Sequence, residues 1–200
     1  MESEISLLFA ALVGFGHAFE ADHLLAVSTL VSKSKSNRQV LTNGFIWGLG
    51  HTSTIFLIGL LLIVFQVNSL KAYLDYFEIF VGVMLIALGA FRLWRSYRKT
   101  EETPTHRHDG EAYGIGLIHG LAGSGGLVLL VLASIESTGE ALGYLALFGV
   151  GSAVGMSVAA SILRLPLLNG KGIDLRKKVF SWLASGLCIA YGLYILLQYV

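Results

Sequence analysis

The chain has 200 residues, of which 54% are hydrophobic and 14% are charged, and its formal net charge is +1. Soluble domains carry about a quarter charged residues, so this is not the composition of a water-soluble domain. The high hydrophobic fraction excludes a disordered protein, and the lack of a basic excess excludes a nucleic-acid partner. The single cysteine, Cys188, excludes a disulfide scaffold. Long uncharged apolar runs predict an all-α membrane protein embedded in a lipid bilayer.

Six apolar runs follow one another along the chain, and each has the approximate length of one transmembrane helix. They cover residues 5–31, 41–65, 77–93, 113–135, 141–163 and 179–199. The runs are continuous rather than alternating, which argues against a β-barrel. Glu2 and Glu4 stand where a signal peptide would be basic, so we expect the first run to be a retained span.

The basic residues predict the orientation of these spans. All of the 14 Lys and Arg residues except Lys71 lie in or beside three loops, which follow the first, third and fifth runs. The positive-inside rule then places the three loops in the cytoplasm and both termini outside. The expected location is the plasma (inner) membrane.

The two halves of the chain resemble each other at an offset of roughly 100 residues. GFGH at 14–17 matches GLIH at 116–119, and GLGH at 48–51 resembles GVGS at 149–152. Because three is an odd number of spans, the chain leaves a three-helix repeat on the opposite side of the membrane from where it entered. We therefore predict two inverted three-helix repeats, 1–94 and 113–200, joined by a cytoplasmic loop, 95–112.

The high glycine content, 24 of 200 residues, has two interpretations. The four-apart pairs at 44 and 48, 116 and 120, and 151 and 155 are typical of close helix packing in lipid. The denser clusters at 14–16 and 120–126 flank a histidine in each half. They indicate places where a helix breaks and exposes its backbone to a cavity.

Ionisable side chains inside the predicted spans are the candidate functional residues. An aspartate at the centre of a bilayer costs about 2.5–3.5 kcal/mol, so such groups are retained for a function. They are His17, Glu20, Asp22 and His23 in the first span, His51 in the second and His119 in the fourth. Counted along ideal helices, the four histidines lie between about 9 and 21 Å from the cytoplasmic ends, so their depths overlap.

The donor chemistry of this set predicts a metal site. Imidazole nitrogen and carboxylate oxygen, with no thiolate beside them, suit divalent Ni, Co, Zn or Fe. Taken singly, His51 and His119 are more often hydrogen-bonded core residues, and a proton relay is the alternative role for Glu20 and Asp22.

The geometry of the first span leaves the role of Asp22 open. On an ideal helix His17, Glu20 and His23 share one side, while Asp22 points elsewhere. Asp22 therefore either orients a histidine or lies where the helix unwinds. The length of the run at 5–31 favours a tilt or a break.

Three segments resemble motifs of the nickel/cobalt transporter family. HAFEADH at 17–23 fits that family's His-x4-Asp-His signature, and GLGHTS at 48–53 is similar to its second-helix motif. HGLAGSG at 119–125 resembles the fourth helix of the short six-helix branch, which includes membrane proteins associated with urease and hydrogenase maturation. The resemblance implies a permease for Ni²⁺ or Co²⁺, with His17, Asp22 and His23 as the metal-binding signature and His51 contributing.

This resemblance also sets expectations about partners. The metal ion would be the transported substrate, with no prosthetic group and no enzymatic activity, and the partner processes would include nickel-enzyme maturation. A homo-oligomer is left open. The six predicted spans, against eight in larger members, and the lack of a long histidine-rich loop leave the metal and the direction of transport open.

Three other functions use a comparable bundle. An exporter of an anion or small organic solute is one, although the acid–histidine cluster favours a cation. An intramembrane serine protease would use Ser124 in the fourth span, but the sixth span has no histidine to act as its base. A thiol-electron carrier needs a cysteine pair, and Cys188 is the sole cysteine.

Overall fold

The computed structural model describes residues 2–34, 36–65, 74–98, 108–121, 135, 137–168 and 173–199. These residues form seven α-helices and a short 3-10 turn, with no β-strand among them. The helices are α1 (Glu2–His17), α2 (Ala21–Lys33), α3 (Asn37–Phe65), α4 (Leu74–Tyr97), α5 (His108–Leu121), α6 (Thr138–Arg164) and α7 (Ile173–Leu197). The 3-10 turn, Leu165–Leu167, follows α6 directly.

Four stretches of the described chain are long and apolar enough to cross a membrane. They are Asn37–Leu61, Glu78–Tyr97, Thr138–Leu167 and Leu175–Leu197, which correspond to the second, third, fifth and sixth predicted spans. Large apolar side chains such as Leu57, Val150 and Leu183 are exposed on these helices, as contact with lipid requires. The chain is therefore an all-helical membrane protein.

The first predicted span is two helices rather than one. α1 ends at His17 and α2 begins at Ala21. A turn joins them, closed by hydrogen bonds from the Phe19 amide to the Gly16 carbonyl (3.0 Å) and from the Glu20 amide to the His17 carbonyl (3.1 Å). The sequence left a tilt or a break open, and the structure shows a break. The directions expected for the side chains of residues 17–23 on a continuous helix are therefore wrong.

The fourth predicted span is described only in its first part. α5 covers residues 108–121, whereas residues 122–134, including most of the second glycine cluster, lie outside the described residues. The expected second helix break and Ser124 fall in that range. The count of six spans stays a prediction.

α3 packs against both α5 and α6. α1 packs against α6, and α4 packs against α7. The short helix α2 contacts α4, α6 and α7. The core between these helices contains the fully buried side chains of Trp47, Leu85 and Met156.

Glycines allow the central helices to approach backbone to backbone. A Cβ atom would meet a carbonyl group of the facing helix at Gly14 (Phe148), Gly151 (Ala11), Gly116 (Trp47) and Gly50 (Tyr113). The first two contacts join α1 to α6, and the last two join α5 to α3 at positions roughly 100 residues away. The packing role predicted for the four-apart glycine pairs is confirmed, because a Cβ at any of the six would touch a neighbouring helix.

Two buried arginines attach α2 to the bundle. Arg92 of α4 donates from Nη1 to the Ser28 carbonyl (3.1 Å) and from Nε to Ser181 Oγ of α7 (2.8 Å). Arg164, the last residue of α6, donates to the carbonyl of Ser34 at the end of α2. These hydrogen bonds to backbone carbonyls fix the far half of α2, while Asp22 and His23 of its first turn are buried.

The close approach of α5 to α3 is testable with a matched pair of glycine variants. Gly116→Ala should lower the melting temperature, because its Cβ would meet the Trp47 carbonyl and overpacking costs about 1–3 kcal/mol. Gly114→Ala, on the same helix with nothing within 4 Å of its Cβ, should be neutral or slightly stabilising. Thermal unfolding in detergent measures both, and equal melting temperatures would contradict this packing.

Candidate metal site

The break in the first span brings polar side chains from four helices together. His17 is the last residue of α1, and Asp22 and His23 lie in the first turn of α2. His51 comes from α3 and His119 from α5. All five are buried: Asp22 is 8% exposed and His17 is 6%, and the other three are fully enclosed.

Asp22 lies between two histidines. Its Oδ1 atom is 2.9 Å from Nδ1 of His23, and its Oδ2 atom is 3.2 Å from Nε2 of His119. An ionised carboxylate only accepts hydrogen bonds, so these two ring nitrogens carry the protons. In neutral rings, Nε2 of His23 and Nδ1 of His119 then keep their lone pairs, and neither has a hydrogen-bond partner among the described residues.

His17 and His51 form the second part of the cluster. Their Nε2 atoms are 3.1 Å apart, and Nδ1 of His17 is 3.1 Å from Oε1 of Glu20. Because the Glu20 carboxylate accepts from Nδ1, a neutral His17 accepts at Nε2 from His51. Nδ1 of His51 then keeps a lone pair, and it too has no partner within the described part of the chain.

His23 is the centre of the cluster. Its ring centroid lies 4.3 Å from that of His17, 4.3 Å from that of His119 and 4.9 Å from that of His51. The histidines of three predicted spans are thus in contact with one another.

The donor atoms fall into two sets of three with metal-like spacing. One set is His17, His23 and His51, the other is Asp22, His23 and His119, and within each set the ligand atoms lie within 4.8 Å of one another. Nitrogen and oxygen ligands bind a first-row divalent metal at about 2.0–2.2 Å, so two ligands of one ion are at most about 4.4 Å apart. Small side-chain movements would complete either set.

Glu20 lies at the rim of the cluster rather than within it. Its carboxylate contacts His17, but its side chain is 42% exposed, and it belongs to neither set of ligand atoms. Of the six predicted site residues, the structure thus brings five together in the interior and leaves Glu20 at the edge.

Trp47 is a neighbour of the site that sequence reasoning missed. Its fully buried indole packs against His23 and His119, with ring centroids 5.7 and 5.6 Å apart. Its Nε1 atom has no hydrogen-bond partner among the residues described. The available signal was its position four residues before His51, which puts the two side chains on one face of α3.

Of the two residues of the alternative functions, the structure describes one, and it lies apart from this cluster. Ser124 is outside the described residues. Cys188 is buried between α7 and α2, where its Sγ atom donates to the Leu25 carbonyl at 3.4 Å. Cys188 therefore provides no reactive group at the cluster.

The fold and this cluster define a class: an all-helical membrane protein with a buried histidine–aspartate centre. The chain is 33% identical over 175 residues to the urease accessory protein UreH of Bacillus sp. (strain TB-90), and the match covers 80% of this chain and 76% of the relative. The chain therefore belongs to the family of this urease accessory protein. No protein-family profile and no solved structure matches it.

The two hydrogen bonds of Asp22 make a prediction about stability. Asp22→Ala should lower the free energy of unfolding by about 1–3 kcal/mol for each of the two buried histidine donors that it leaves unpaired. Glu20→Ala should have a smaller effect, because water reaches its partly exposed position. Thermal unfolding of the two purified variants measures both effects. A lower melting temperature for Glu20→Ala than for Asp22→Ala would contradict this geometry.

Proposed function

We propose that the protein is a permease for a divalent transition-metal cation, with Ni²⁺ or Co²⁺ as its substrate. The observation that carries the proposal is the convergence of four imidazoles and one carboxylate, from four helices, in the interior of a membrane protein. Such groups are costly in a bilayer, and helix packing alone does not require them.

The chemistry of the cluster fits a transition-metal cation better than an anion or an organic solute. A cation that enters the bundle must exchange water ligands for protein ligands, and the imidazole nitrogens supply them. The carboxylate of Asp22 offsets part of the charge of the cation. Among the described residues the cluster has nitrogen and oxygen donors and no thiolate or thioether, which favours divalent Ni, Co or Zn over Cu(I).

The family relationship narrows the choice of metal. The relative's name connects it to urease, which is a nickel enzyme, and maturation of a nickel enzyme requires a supply of nickel. We therefore place the protein in nickel handling that serves enzyme maturation. Co²⁺ remains the second substrate, because its ligand preference is close to that of Ni²⁺.

The proposed mechanism is alternating access between two inverted three-helix repeats, with both termini outside the plasma membrane. The reciprocal helix contacts support it, since α1 packs against α6 as α5 packs against α3, through glycines at corresponding positions. The break between α1 and α2 also supports it. Interrupted helices at a buried site are typical of inverted-repeat transporters.

The helix ends at the break suit the charges of this mechanism. The carboxyl end of α1 carries a partial negative charge beside His17, which favours a cation. The amino end of α2 carries a partial positive charge, which is a favourable position for the Asp22 carboxylate. The same break thus serves the cation and its acidic partner.

The transport function is testable with the purified protein reconstituted into proteoliposomes. His17→Ala and Asp22→Asn should each abolish Ni²⁺ movement, because each removes a proposed ligand or the partner that orients it, while membrane insertion stays normal. Ser53→Ala is the matched control, since Ser53 lies two residues after His51 on α3 but is exposed. Wild-type nickel transport by both cluster variants would refute the assignment.

A further inference from the structure

We propose that the cation occupies two alternative positions in turn, which share His23 as a common ligand. The first position lies among His17, His23 and His51, and the second lies among Asp22, His23 and His119. This inference rests on the proposed transport function and describes how the ion passes through the site.

The spacing of the ligand atoms fits two separate metal positions. Nε2 of His17 and Nε2 of His51 are 3.1 Å apart, and Oδ2 of Asp22 and Nε2 of His119 are 3.2 Å apart. Adjacent ligands on one metal ion are about 3.0–3.4 Å apart when each bond is about 2.1 Å. Each pair is now joined by a hydrogen bond. If the proton on Nε2 of His51 or of His119 moves to Nδ1 of the same ring, the pair has the separation of neighbouring ligands, and His23 is the third member of both sets.

The two sets of ligands are too far apart to form one larger site. The ring centroids of His51 and His119 are 5.9 Å apart, and His23 lies between them. No group of four ligand atoms from the described residues meets the spacing that the two sets meet. In this conformation a single ion is therefore held by one set or by the other.

The hydrogen bonding of His23 makes the two positions exclusive. Its Nδ1 atom donates to Asp22, which leaves Nε2 as the one nitrogen of the neutral ring with an available lone pair. One lone pair serves one ion at a time. A cation that moves from the first position to the second can therefore keep His23 as a ligand while it exchanges the other two.

Exposure and helix membership give the two positions an order along the path. Glu20, 42% exposed, contacts His17, so the first position adjoins the rim of the cluster. The second position is enclosed, since His119 is fully buried and Asp22 is 8% exposed. The first set comes entirely from the first half of the chain, whereas the second set includes His119 of α5, so the step at His23 brings the ion to a ligand of the other half.

The test uses the full-length protein and Ni²⁺ alone, measured by calorimetric binding in detergent and by flux in proteoliposomes. The wild type should bind a single Ni²⁺ ion. His51→Ala and His119→Ala should each keep one position and change Kd by less than about tenfold, while the flux of both is lost. His23→Ala and the His51→Ala/His119→Ala double variant should weaken binding by more than about 100-fold.

The outcomes separate this inference from the function on which it rests. Loss of binding in either single variant as complete as in His23→Ala would show one undivided site and overturn the two-position proposal, as would two ions bound at once or wild-type flux in a single variant. A wild-type protein that neither binds nor moves Ni²⁺ would instead overturn the proposed function. If an alanine variant fails to fold, His51→Asn and His119→Asn give the same comparison with a polar side chain retained.

Discussion

The hydrogen bonds of the Asp22 carboxylate hold the site together. One oxygen accepts from His23 in the adjacent position and the other from His119 on α5, so a single buried side chain connects α2 to the second half of the chain. A charged group inside a membrane bundle is tolerated only when it is paired within the protein. The same two bonds fix the orientation of two imidazoles and determine which of their nitrogens remain available to a ligand.

Asp22 occupies this place because the first span is interrupted and its second helix is anchored at the other end. Irregular backbone within a membrane is stable where it is buried in protein, and Ala18 and Phe19 of this turn pack into the core. Beyond it, Arg92 and Arg164 bind carbonyl groups of α2. Glycine contacts between α5 and α3 bring His119 within reach of α2. The site thus depends on packing between elements that are distant in sequence.

Much of this arrangement follows from the sequence. Apolar runs predicted the four membrane-spanning stretches to within several residues, and histidine spacing predicted that His17, His23, His51 and His119 meet. The direction of Asp22 did not follow, because counting at 3.6 residues per turn assumes an unbroken helix and the break rotates the residues after it. The rim position of Glu20 and the contacts of Trp47 arise from tertiary packing, which helical periodicity does not encode.

The proposed function requires that the buried cluster bind a divalent transition metal through its histidines. X-ray absorption at the nickel edge, recorded on the full-length protein loaded with Ni²⁺, tests it most directly. We expect a nitrogen/oxygen shell that contains at least two imidazole ligands and no sulfur, and loss of the imidazole signal in His23→Ala. A spectrum of hydrated nickel alone, unchanged by His23→Ala, would contradict it.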